Sequence, residues 1–529
     1  MSLQLTGTVG LARFQLHRDR ILASLWGLVL LAVVYASASA TNGLYPTEAD
    51  RVEAARLVNA SPAAVALYGP ILDVHSLGEL AMTKTTVTYA LFLMVLAMVL
   101  VRRHTRVEEE SGRTELVSAG RVGRRAPLVS AVVEAGVVVT IISALAGLCS
   151  VAGGLPAAGS LVFAASWWGS GMVGVGVAAL ACQVSASART CGAAGAAGLG
   201  VIFLLRAVGD VSESWLSWLS PLGWNTQLSA WSQPRWWVLL LYPVTAVALL
   251  AVALWLRDRR DLGAGLVAPR PGPAEGSPRL RDAGSLALRV YGPSLVGWSV
   301  AAAVCGVLFG SVVPSLGTLF DSPTGQEMLR RLGGSGAVED AMLAGIMSVV
   351  ALILCGFTAG VAAHAGSDEH DGRTEQVLAT ASPRGHTFTA LLALVLVATA
   401  WLLLLLGVAA AVGYGAQAGG FGDAAGRSLG AGLAPLPAAW LLAALAILGL
   451  SLGDRWALLG WVLLAAFTTV GIVGELLSLP DWVVGLSPFQ HIAKVPSEPM
   501  AWGPAVVLTV LTAVVSAVAW WAYRHRDIG

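Results

Sequence analysis

Residues 108–125 read EEESGRTELVSAGRVGRR, and residues 368–384 read DEHDGRTEQVLATASPR. A shift of 260 positions superimposes eight residues of the two stretches in the same order. The matching pairs are Glu109 and Glu369, Gly112 and Gly372, Arg113 and Arg373, Thr114 and Thr374, Glu115 and Glu375, Val117 and Val377, Ala119 and Ala379, and Arg124 and Arg384. Such an ordered match predicts an internal duplication of the chain.

The sequence around these charged stretches is strongly apolar. Of the 529 residues, 56% are hydrophobic and only 12% are charged. In soluble domains, about a quarter of the residues are charged. A helix needs about 20 mostly apolar residues to cross a bilayer, and twelve stretches of this chain meet that requirement. The predicted spans lie near residues 21–41, 84–101, 127–150, 157–182, 190–208, 237–256, 294–313, 343–363, 388–413, 431–452, 455–475 and 504–523.

The spans fall into two sets of six, separated by a linker rich in proline, glycine and charge. We predict a first half at 1–256, a linker at 257–289 and a second half at 290–529. Residues 5–20 carry apolar side chains at helical spacing, which favours an amphipathic elbow helix ahead of the first span. The predicted fold is an all-α polytopic membrane protein with 12 transmembrane helices in two parallel six-helix repeats. Parallel repeats of this kind commonly surround a transport pathway.

The basic residues predict the orientation of the chain. With the N-terminus inside, 23 of the 32 lysines and arginines fall in inner segments and 8 in outer segments. Basic residues concentrate on the cytoplasmic side, so both termini are predicted to be cytoplasmic. Thirty arginines against two lysines are typical of GC-rich coding DNA, which favours a bacterial cell membrane. The net charge of +1 gives no indication of a nucleic-acid partner.

The sequence contains no recognisable catalytic or metal-binding motif. The eight histidines are scattered, and neither an HExxH motif nor a paired Cys/His spacing is present. A phosphate-binding P-loop requires a Gly-Lys-Ser/Thr sequence, but neither Lys84 nor Lys494 follows a glycine. We therefore predict that the chain is not an enzyme, has no metal site and binds no cofactor of its own.

The duplicated stretch lies between the second and third spans of each half. One interpretation is a solvated turn with the arginines that cytoplasmic loops carry. That interpretation accounts for the charge but not for the conserved order of residues between the two copies. The other interpretation, which we favour, is a surface in each half that docks the component supplying energy.

The Glu-x-x-Gly-Arg-Thr-Glu motif before the third span of each half resembles that of ABC-2-type exporter permeases. The likeness is strongest to the fused, 12-span type grouped as polyketide-antibiotic and multidrug exporters. It implies that residues 102–126 and 365–387 carry coupling helices. It also implies a separately encoded ATP-binding subunit in two identical copies, in which ATP and Mg²⁺ are bound.

The residue types in the motif suit such docking. Arg113 and Arg373 can make bidentate contacts with a partner carboxylate, and Glu115 and Glu375 can accept hydrogen bonds from a partner arginine. The motif glycines allow a sharp turn. Alternatively, the charged side chains pair within their own loop or with the N-terminal segment and stiffen it.

A few polar and aromatic residues inside the spans are candidates for the substrate pathway. They are Glu134, Trp167, Trp168, Arg206 and Trp298. Charged groups are costly at the bilayer centre, so Glu134 is either a pathway residue or the partner of a neighbouring helix. Arg206 can instead pair with Asp210, four residues later. The tryptophans can stack on a hydrophobic or amphipathic cargo or anchor the helices at the interface.

Two outer segments are apolar and contain proline, but they are too short to span. They are SESWLSWLSPLGW at 212–224 and LPDWVVGLSPF at 479–489. We predict that they dip into the outer leaflet as an outer gate; the alternative is a pair of interfacial loops. The gate candidates are Trp215, Trp218, Pro221, Trp482 and Pro488.

These features predict the membrane permease of an ATP-driven exporter of hydrophobic or amphipathic compounds, such as antibiotics. The first alternative is an ion-coupled 12-span transporter, which would need more intramembrane carboxylates than this chain has. The second is a non-transporting membrane scaffold, for which large outer domains would be expected.

Overall fold

A computed structural model of the protein describes residues 3–45, 47–60, 62–267, 275–278, 280–317, 335–418, 421–473 and 481–527. Most of these residues are helical, and none lies in a β-strand. They form two compact units, Met1–Gly272 and Pro273–Gly529. Each unit is a bundle of long apolar helices joined by short segments.

The first unit combines long helices with short ones at the ends of the bundle. Its helices are α1 (Thr8–Leu44), α2 (Glu48–Ala60), α3 (Pro62–Tyr68), α4 (Leu77–Lys84), α5 (Ala90–Arg102), α6 (Glu108–Glu110), α7 (Arg113–Ser118), α8 (Ala126–Ala152), α9 (Ala157–Ala181), α10 (Ala188–Val211), α11 (Pro221–Gln227) and α12 (Leu241–Arg259). Two π turns, Thr85–Tyr89 and Arg103–Val107, connect α4, α5 and α6 into one long helix. Short 3-10 helices lie at Leu3–Leu5, Trp215–Leu219 and Trp236–Leu240.

The second unit is built in a similar way. Its helices are α13 (Ala283–Gly317), α14 (Ser335–Leu354), α15 (Gly356–His370), α16 (Arg373–Leu378), α17 (Arg384–Ala418), α18 (Phe421–Leu433), α19 (Leu436–Leu452), α20 (Leu459–Val473), α21 (Asp481–Val484) and α22 (Trp502–His525). Short 3-10 helices lie at Asp454–Trp456 and Pro488–His491.

Eleven helices among the described residues are long and apolar enough to cross a membrane. They correspond one to one with eleven of the twelve predicted spans and confirm the all-α polytopic class. The remaining predicted span, 455–475, is represented by α20, which has 15 described residues. Residues 474 and 475 lie outside the described part of the chain.

Helix α9 lies at the centre of the first unit, where it packs against α5, α8 and α12. Its glycines allow this close approach. A Cβ atom at Gly174 would lie 2.9 Å from Met94 Cα, and one at Gly171 would lie 2.5 Å from Val139 Cγ1. Both distances are too short for a side chain, so these glycines are required for helix packing, as small residues often are between membrane helices.

In the second unit, α13 packs against α17, and α19 packs against α20 and α22. Glycine again sets the closest contact. A Cβ at Gly310 would lie 2.2 Å from the Ala410 carbonyl oxygen, and one at Gly413 would lie 2.2 Å from the Val307 carbonyl oxygen. The α13–α17 pair therefore depends on small residues from both helices.

The N-terminal segment differs from the predicted elbow. Helix α1 runs without a break from Thr8 through the first span, and it contains no proline that would interrupt it. The face of α1 that is buried in the bundle carries Gln15 and Asp19, while the apolar residue Val9 is exposed. A polar stripe at the start of the first span thus points into the protein.

Candidate functional site

The two copies of the duplicated loop have the same backbone conformation. Gly112 and Gly372 have φ values of 73° and 72°, and a short helix, α7 or α16, begins directly after each. A residue with a Cβ atom pays about 1–2 kcal/mol in this left-handed region. Both motif glycines therefore lie in a turn conformation that favours glycine.

Glu109 anchors the first loop to the rest of its unit. Its side chain is only 5% exposed. Arg260 donates to both carboxylate oxygens at 2.9 Å, and Arg106 donates to Oε2 at 2.9 Å. Arg257 Nη2 lies 3.7 Å from Oε1. One buried carboxylate thus holds three buried guanidinium groups.

The second loop repeats the central part of this arrangement. Arg526 Nη2 donates to Glu369 Oε2 at 2.5 Å. Arg260 and Arg526 both follow the last helix of their unit, in the matching sequences RDLG and RDIG. We call the Glu109–Arg260 and Glu369–Arg526 pairs the two clasps, because each fastens one copy of the duplicated loop to the end of α12 or α22.

The last matching pair of the duplicated stretch, Arg124 and Arg384, completes the clasps. Arg124 Nη2 donates to the Arg260 carbonyl oxygen at 3.0 Å, and Arg384 Nη1 donates to the Arg526 carbonyl oxygen at 3.2 Å. Neither predicted alternative includes these contacts, since they join each loop to the end of the last helix and not to its own residues or to the N-terminal segment. The duplicated order of residues therefore has a structural role in both units.

The arginine and the second glutamate of each motif are exposed, whereas Thr114 is buried and Thr374 is half-buried. Glu115 and Glu375 are exposed, and among the described residues neither side chain has a hydrogen bond or an ion pair. Arg113 lies 3.6 Å from Glu108, and Arg373 lies 2.8 Å from Asp368. Each loop thus has an anchored side and an exposed side. The first exposed side also presents an apolar residue, Leu116, which is 79% exposed.

The second loop has one further attachment. His370 Nδ1, at the end of α15, lies 3.1 Å from Asp454 Oδ2 in the turn between α19 and α20. This hydrogen bond, together with one from the Arg455 backbone N–H, holds the pKa of Asp454 below its usual range. The contact links the loop to a second turn at the same end of the unit.

The pathway candidates of the first unit have different partners. Trp167 is fully buried, and its indole nitrogen donates to the Thr85 carbonyl oxygen at 3.0 Å. Trp168 is 37% exposed and donates to Thr140 Oγ1 at 3.1 Å. Glu134 is also buried, and its neighbours are Asp19 and His104. The structure does not gather these candidates into one site.

The remaining pathway candidate outside this unit, Trp298, belongs to α13. It is half-buried. A Cβ atom at Gly356 would lie 2.9 Å from its ring. Trp298 therefore packs closely on the start of α15.

Arg206 pairs with Asp210, which is one of the predicted alternatives. It also donates hydrogen bonds to backbone carbonyl oxygens near the end of α3. Its side chain is fully buried. Nη1 lies 3.4 Å from Asp210 Oδ2 and donates to the Val65 carbonyl oxygen at 3.2 Å, and Nη2 donates to the Ala66 carbonyl oxygen. The last carbonyls of a helix lack internal partners, so the guanidinium fastens α3 to α10.

Arg206→Lys is expected to lower the free energy of unfolding by about 1–3 kcal/mol, since an ammonium group keeps the charge but cannot reach all of these oxygens at once. Thermal unfolding of the purified protein in mild detergent measures the loss. Arg235→Lys, at an exposed arginine of the same unit, is the matched control and should leave the unfolding temperature unchanged. Equal curves for both variants would contradict this role of Arg206.

The first of the two predicted gate segments, residues 212–224, folds into the bundle. It forms the 3-10 helix Trp215–Leu219 and then α11, in which Pro221 is buried. Trp218 stacks on Trp237 with ring centroids 5.4 Å apart, and Trp224 donates to the Trp218 carbonyl oxygen at 2.6 Å. Trp215, by contrast, is 68% exposed.

In the second unit, the corresponding segment is less well buried among the described residues. Pro488 is buried at the start of a 3-10 helix. Trp482 is exposed. The two predicted gate segments therefore share the buried proline but differ in how their tryptophans are placed.

Asn225 on α11 is an important polar residue that no sequence motif indicates. Its amide nitrogen donates to the Thr86 carbonyl oxygen at 2.7 Å. Its Oδ1 accepts hydrogen bonds from Ser170 at 2.8 Å and from Tyr242 at 2.5 Å. A π turn leaves backbone carbonyls without their usual helical partners, and Asn225 binds one of them. The outer segment is thus tied to α9, α12 and the π turn.

The second unit contains an apolar cavity that the sequence does not predict. Its volume is about 460 Å³. Residues such as Leu433, Pro437, Trp502 and Val506 line it. Each of these residues looks like an ordinary helix residue in the sequence, and only the packing of α18, α19 and α22 brings them together.

Comparison with known proteins finds that this chain is similar to one family model and to one protein of known name. A family model described as the C-terminal domain of the multidrug efflux system permease Rv1217c matches residues 280–524. The multidrug efflux system permease protein Rv1217c of Mycobacterium tuberculosis is 37% identical over 527 residues. That match covers 99% of this chain and 95% of the relative.

Proposed function

Because the chain belongs to the family of the mycobacterial multidrug efflux system permease Rv1217c, we propose that it is the permease of an ATP-driven exporter of hydrophobic or amphipathic compounds. It is a multi-pass membrane protein. Its full-length similarity to a protein with that name supports the transport role, and the resemblance of its duplicated motif to ABC-2-type permeases supports the energy source.

A separately encoded ATP-binding subunit docks on each coupling loop. The observation that carries this step is the pair of exposed carboxylates, Glu115 and Glu375, presented at matching positions on loops of equal backbone conformation. A carboxylate without an internal partner can accept charge-assisted hydrogen bonds from an arginine of another protein. Two matching loops suit two identical subunits, which bind ATP and Mg²⁺.

The clasps carry movement of the loops into the membrane part of each unit. A force on α7 or α16 reaches the last helix of the unit through the Glu109–Arg260 or the Glu369–Arg526 pair. The first pair is buried and has two hydrogen bonds, which makes it a rigid link, and the second pair has one described hydrogen bond. ATP-driven closure of the docked subunits thereby shifts α12 and α22 and changes access to the pathway.

Cargo enters from the cytoplasm or the inner leaflet and leaves on the outside, with both termini of the chain in the cytoplasm. The arginine distribution supports this orientation, and the loops then face the ATP-binding subunits. The apolar composition of the spans supports a hydrophobic or amphipathic cargo. The buried outer segment with Trp218, Pro221 and Asn225 is the outer gate of the first unit.

Inverted membrane vesicles that contain the chain and its ATP-binding partner test this function. We expect ATP to cause accumulation of a hydrophobic fluorescent dye, and an ionophore that removes the proton gradient to leave this accumulation unchanged. Vesicles without the chain are the control. Dye transport by the purified chain alone, in liposomes with an ion gradient and no ATP, would contradict the proposal.

A further inference from the structure

Three buried side chains from distant parts of the first half meet at one point. Asp19 lies on α1, His104 lies in the π turn after α5, and Glu134 lies on α8. The carboxylate oxygens and the ring nitrogen that they offer all lie within 4.8 Å of one another. The exposed fraction is 1% for Asp19, 4% for His104 and 0% for Glu134. Helix packing alone brings these groups together.

Glu134 is the unusual member of this group. Both of its carboxylate oxygens are buried, and neither has a hydrogen-bond partner among the described residues. Gln15, one turn before Asp19, also has a buried Oε1 without a partner, although its amide nitrogen donates to Ser130 at 3.2 Å. Buried polar atoms in proteins are nearly always hydrogen-bonded. These oxygens therefore point to an electropositive ligand between α1 and α8.

The charges around the group lead to the same conclusion. His104 Nε2 lies 2.7 Å from Asp19 Oδ2, and Arg103 Nη1 lies 3.2 Å from Asp19 Oδ1. The neighbouring Arg18 is paired with Glu108 at 2.5 Å. One guanidinium thus faces two carboxylates, and a buried carboxylate without compensation is strongly unfavourable. A divalent cation would neutralise the excess negative charge.

We propose that Asp19, His104 and Glu134 are the ligands of one divalent transition-metal cation. One imidazole nitrogen with two carboxylates suits Zn²⁺, Mn²⁺ or Fe²⁺, whereas Ca²⁺ and Mg²⁺ prefer oxygen ligands alone. The cation takes the place of the proton that His104 and Asp19 share in its absence, since an imidazole nitrogen must be free of its proton to bind a metal.

The site belongs to the first half only. The shift of 260 residues places His364 at the position of His104. Its Nε2 lies 3.5 Å from Asp368, four residues later on the same helix, α15. The same shift places Leu394 where Glu134 stands. A group needed only for the shared fold would be expected in both halves. The additional carboxylate therefore indicates a property that the second half lacks.

The position of the site connects it with the first coupling loop. Glu108, which begins α6, follows His104 by four residues and is bound by Arg18, the neighbour of Asp19. A bound cation would hold α1, the π turn and α8 together beside this loop. Its binding is a property of the purified chain and does not depend on the ATP-binding partner or on transport.

The test is Zn²⁺ binding to the purified full chain in detergent after removal of metals with a chelator. Equilibrium dialysis with elemental analysis should find one tightly bound Zn²⁺ per chain. In Glu134→Gln this ion should be lost, because the affinity of the site for Zn²⁺ falls at least about tenfold. Glu134→Gln keeps the shape of the side chain and removes its buried charge, so the variant should fold. Asp19→Asn should give the same loss.

His364→Ala is the matched control, because it removes the corresponding histidine of the second half. This variant should keep the tightly bound Zn²⁺. If the unmodified chain binds no Zn²⁺ tightly, the proposal is wrong. It is equally wrong if Glu134→Gln and Asp19→Asn bind as much Zn²⁺ as the unmodified chain, since the ion would then lie on other histidines.

Discussion

Glu109→Ala is expected to lower the free energy of unfolding of the first unit by about 3–5 kcal/mol, because removal of one partner leaves buried charge without compensation. In the native structure this carboxylate accepts hydrogen bonds from Arg106 and Arg260 and lies close to Arg257. All three arginines are buried. Their mutual repulsion is then no longer balanced.

Thermal unfolding in mild detergent measures this effect, with Glu115→Ala as the matched control. Glu115 belongs to the same loop but is exposed, and surface substitutions change stability by about 0.5 kcal/mol or less. Glu369→Ala should cause a smaller loss than Glu109→Ala, since Arg526 is the arginine described at that carboxylate. Equal unfolding temperatures for Glu109→Ala and the unmodified protein would show that the first clasp is not a structural anchor.

The double variant Glu115→Ala/Glu375→Ala is expected to abolish ATP-driven efflux without loss of stability. A hydrogen bond to a charged group contributes about 1.5–3 kcal/mol. Each docked subunit loses one such contact, which weakens its binding by about tenfold to a hundredfold. ATP-dependent dye accumulation in inverted vesicles measures the efflux, and the unfolding temperature of the purified variant measures the stability.

Glu53→Ala serves as the control for this double variant, because Glu53 is an exposed glutamate of the first unit that lies on α2, outside both loops. It should transport dye like the unmodified protein. Normal efflux by the double variant would exclude the two glutamates as docking contacts. Loss of efflux together with a much lower unfolding temperature would show that the two glutamates stabilise the fold instead.

The helical spans and the turn conformation of the loops could be predicted from the sequence because both depend on local properties. A run of about 20 apolar residues forms a helix in a bilayer wherever it lies in the chain. A glycine ahead of a short helix is a local feature too, and Gly112 and Gly372 have the expected positive φ. The division of Glu109 and Glu115 between an anchored side and an exposed side could not be predicted from the motif alone.

The contacts that sequence did not predict join residues far apart in the chain. Glu109 and Arg260 are separated by 151 positions. The matching RDLG and RDIG sequences can be recognised as a repeat, but they do not indicate that their arginines bind the motif glutamates. Asn225 is one of several polar residues in a short segment, and its role depends on a π turn 139 positions away. The ends of buried side chains meet only after the helices pack.

The N-terminal segment illustrates a local prediction that packing changed. Apolar residues at helical spacing in residues 5–20 favour an interfacial helix when that segment is considered alone. In the structure, the same residues extend α1, and Asp19 is buried with Arg103 and His104 as the partners of its carboxylate. Buried polar groups of this kind are stable only with partners, and these partners come from another helix.

The most direct test of the docking role is affinity purification of the tagged chain from its own membranes in mild detergent, followed by assay of ATP hydrolysis and identification of the subunits recovered. We expect an ATP-hydrolysing subunit to accompany the unmodified chain at two copies per chain, and to be lost from the Glu115→Ala/Glu375→Ala variant. Recovery of the unmodified chain without any such subunit would contradict the account, as would equal recovery of that subunit with the double variant.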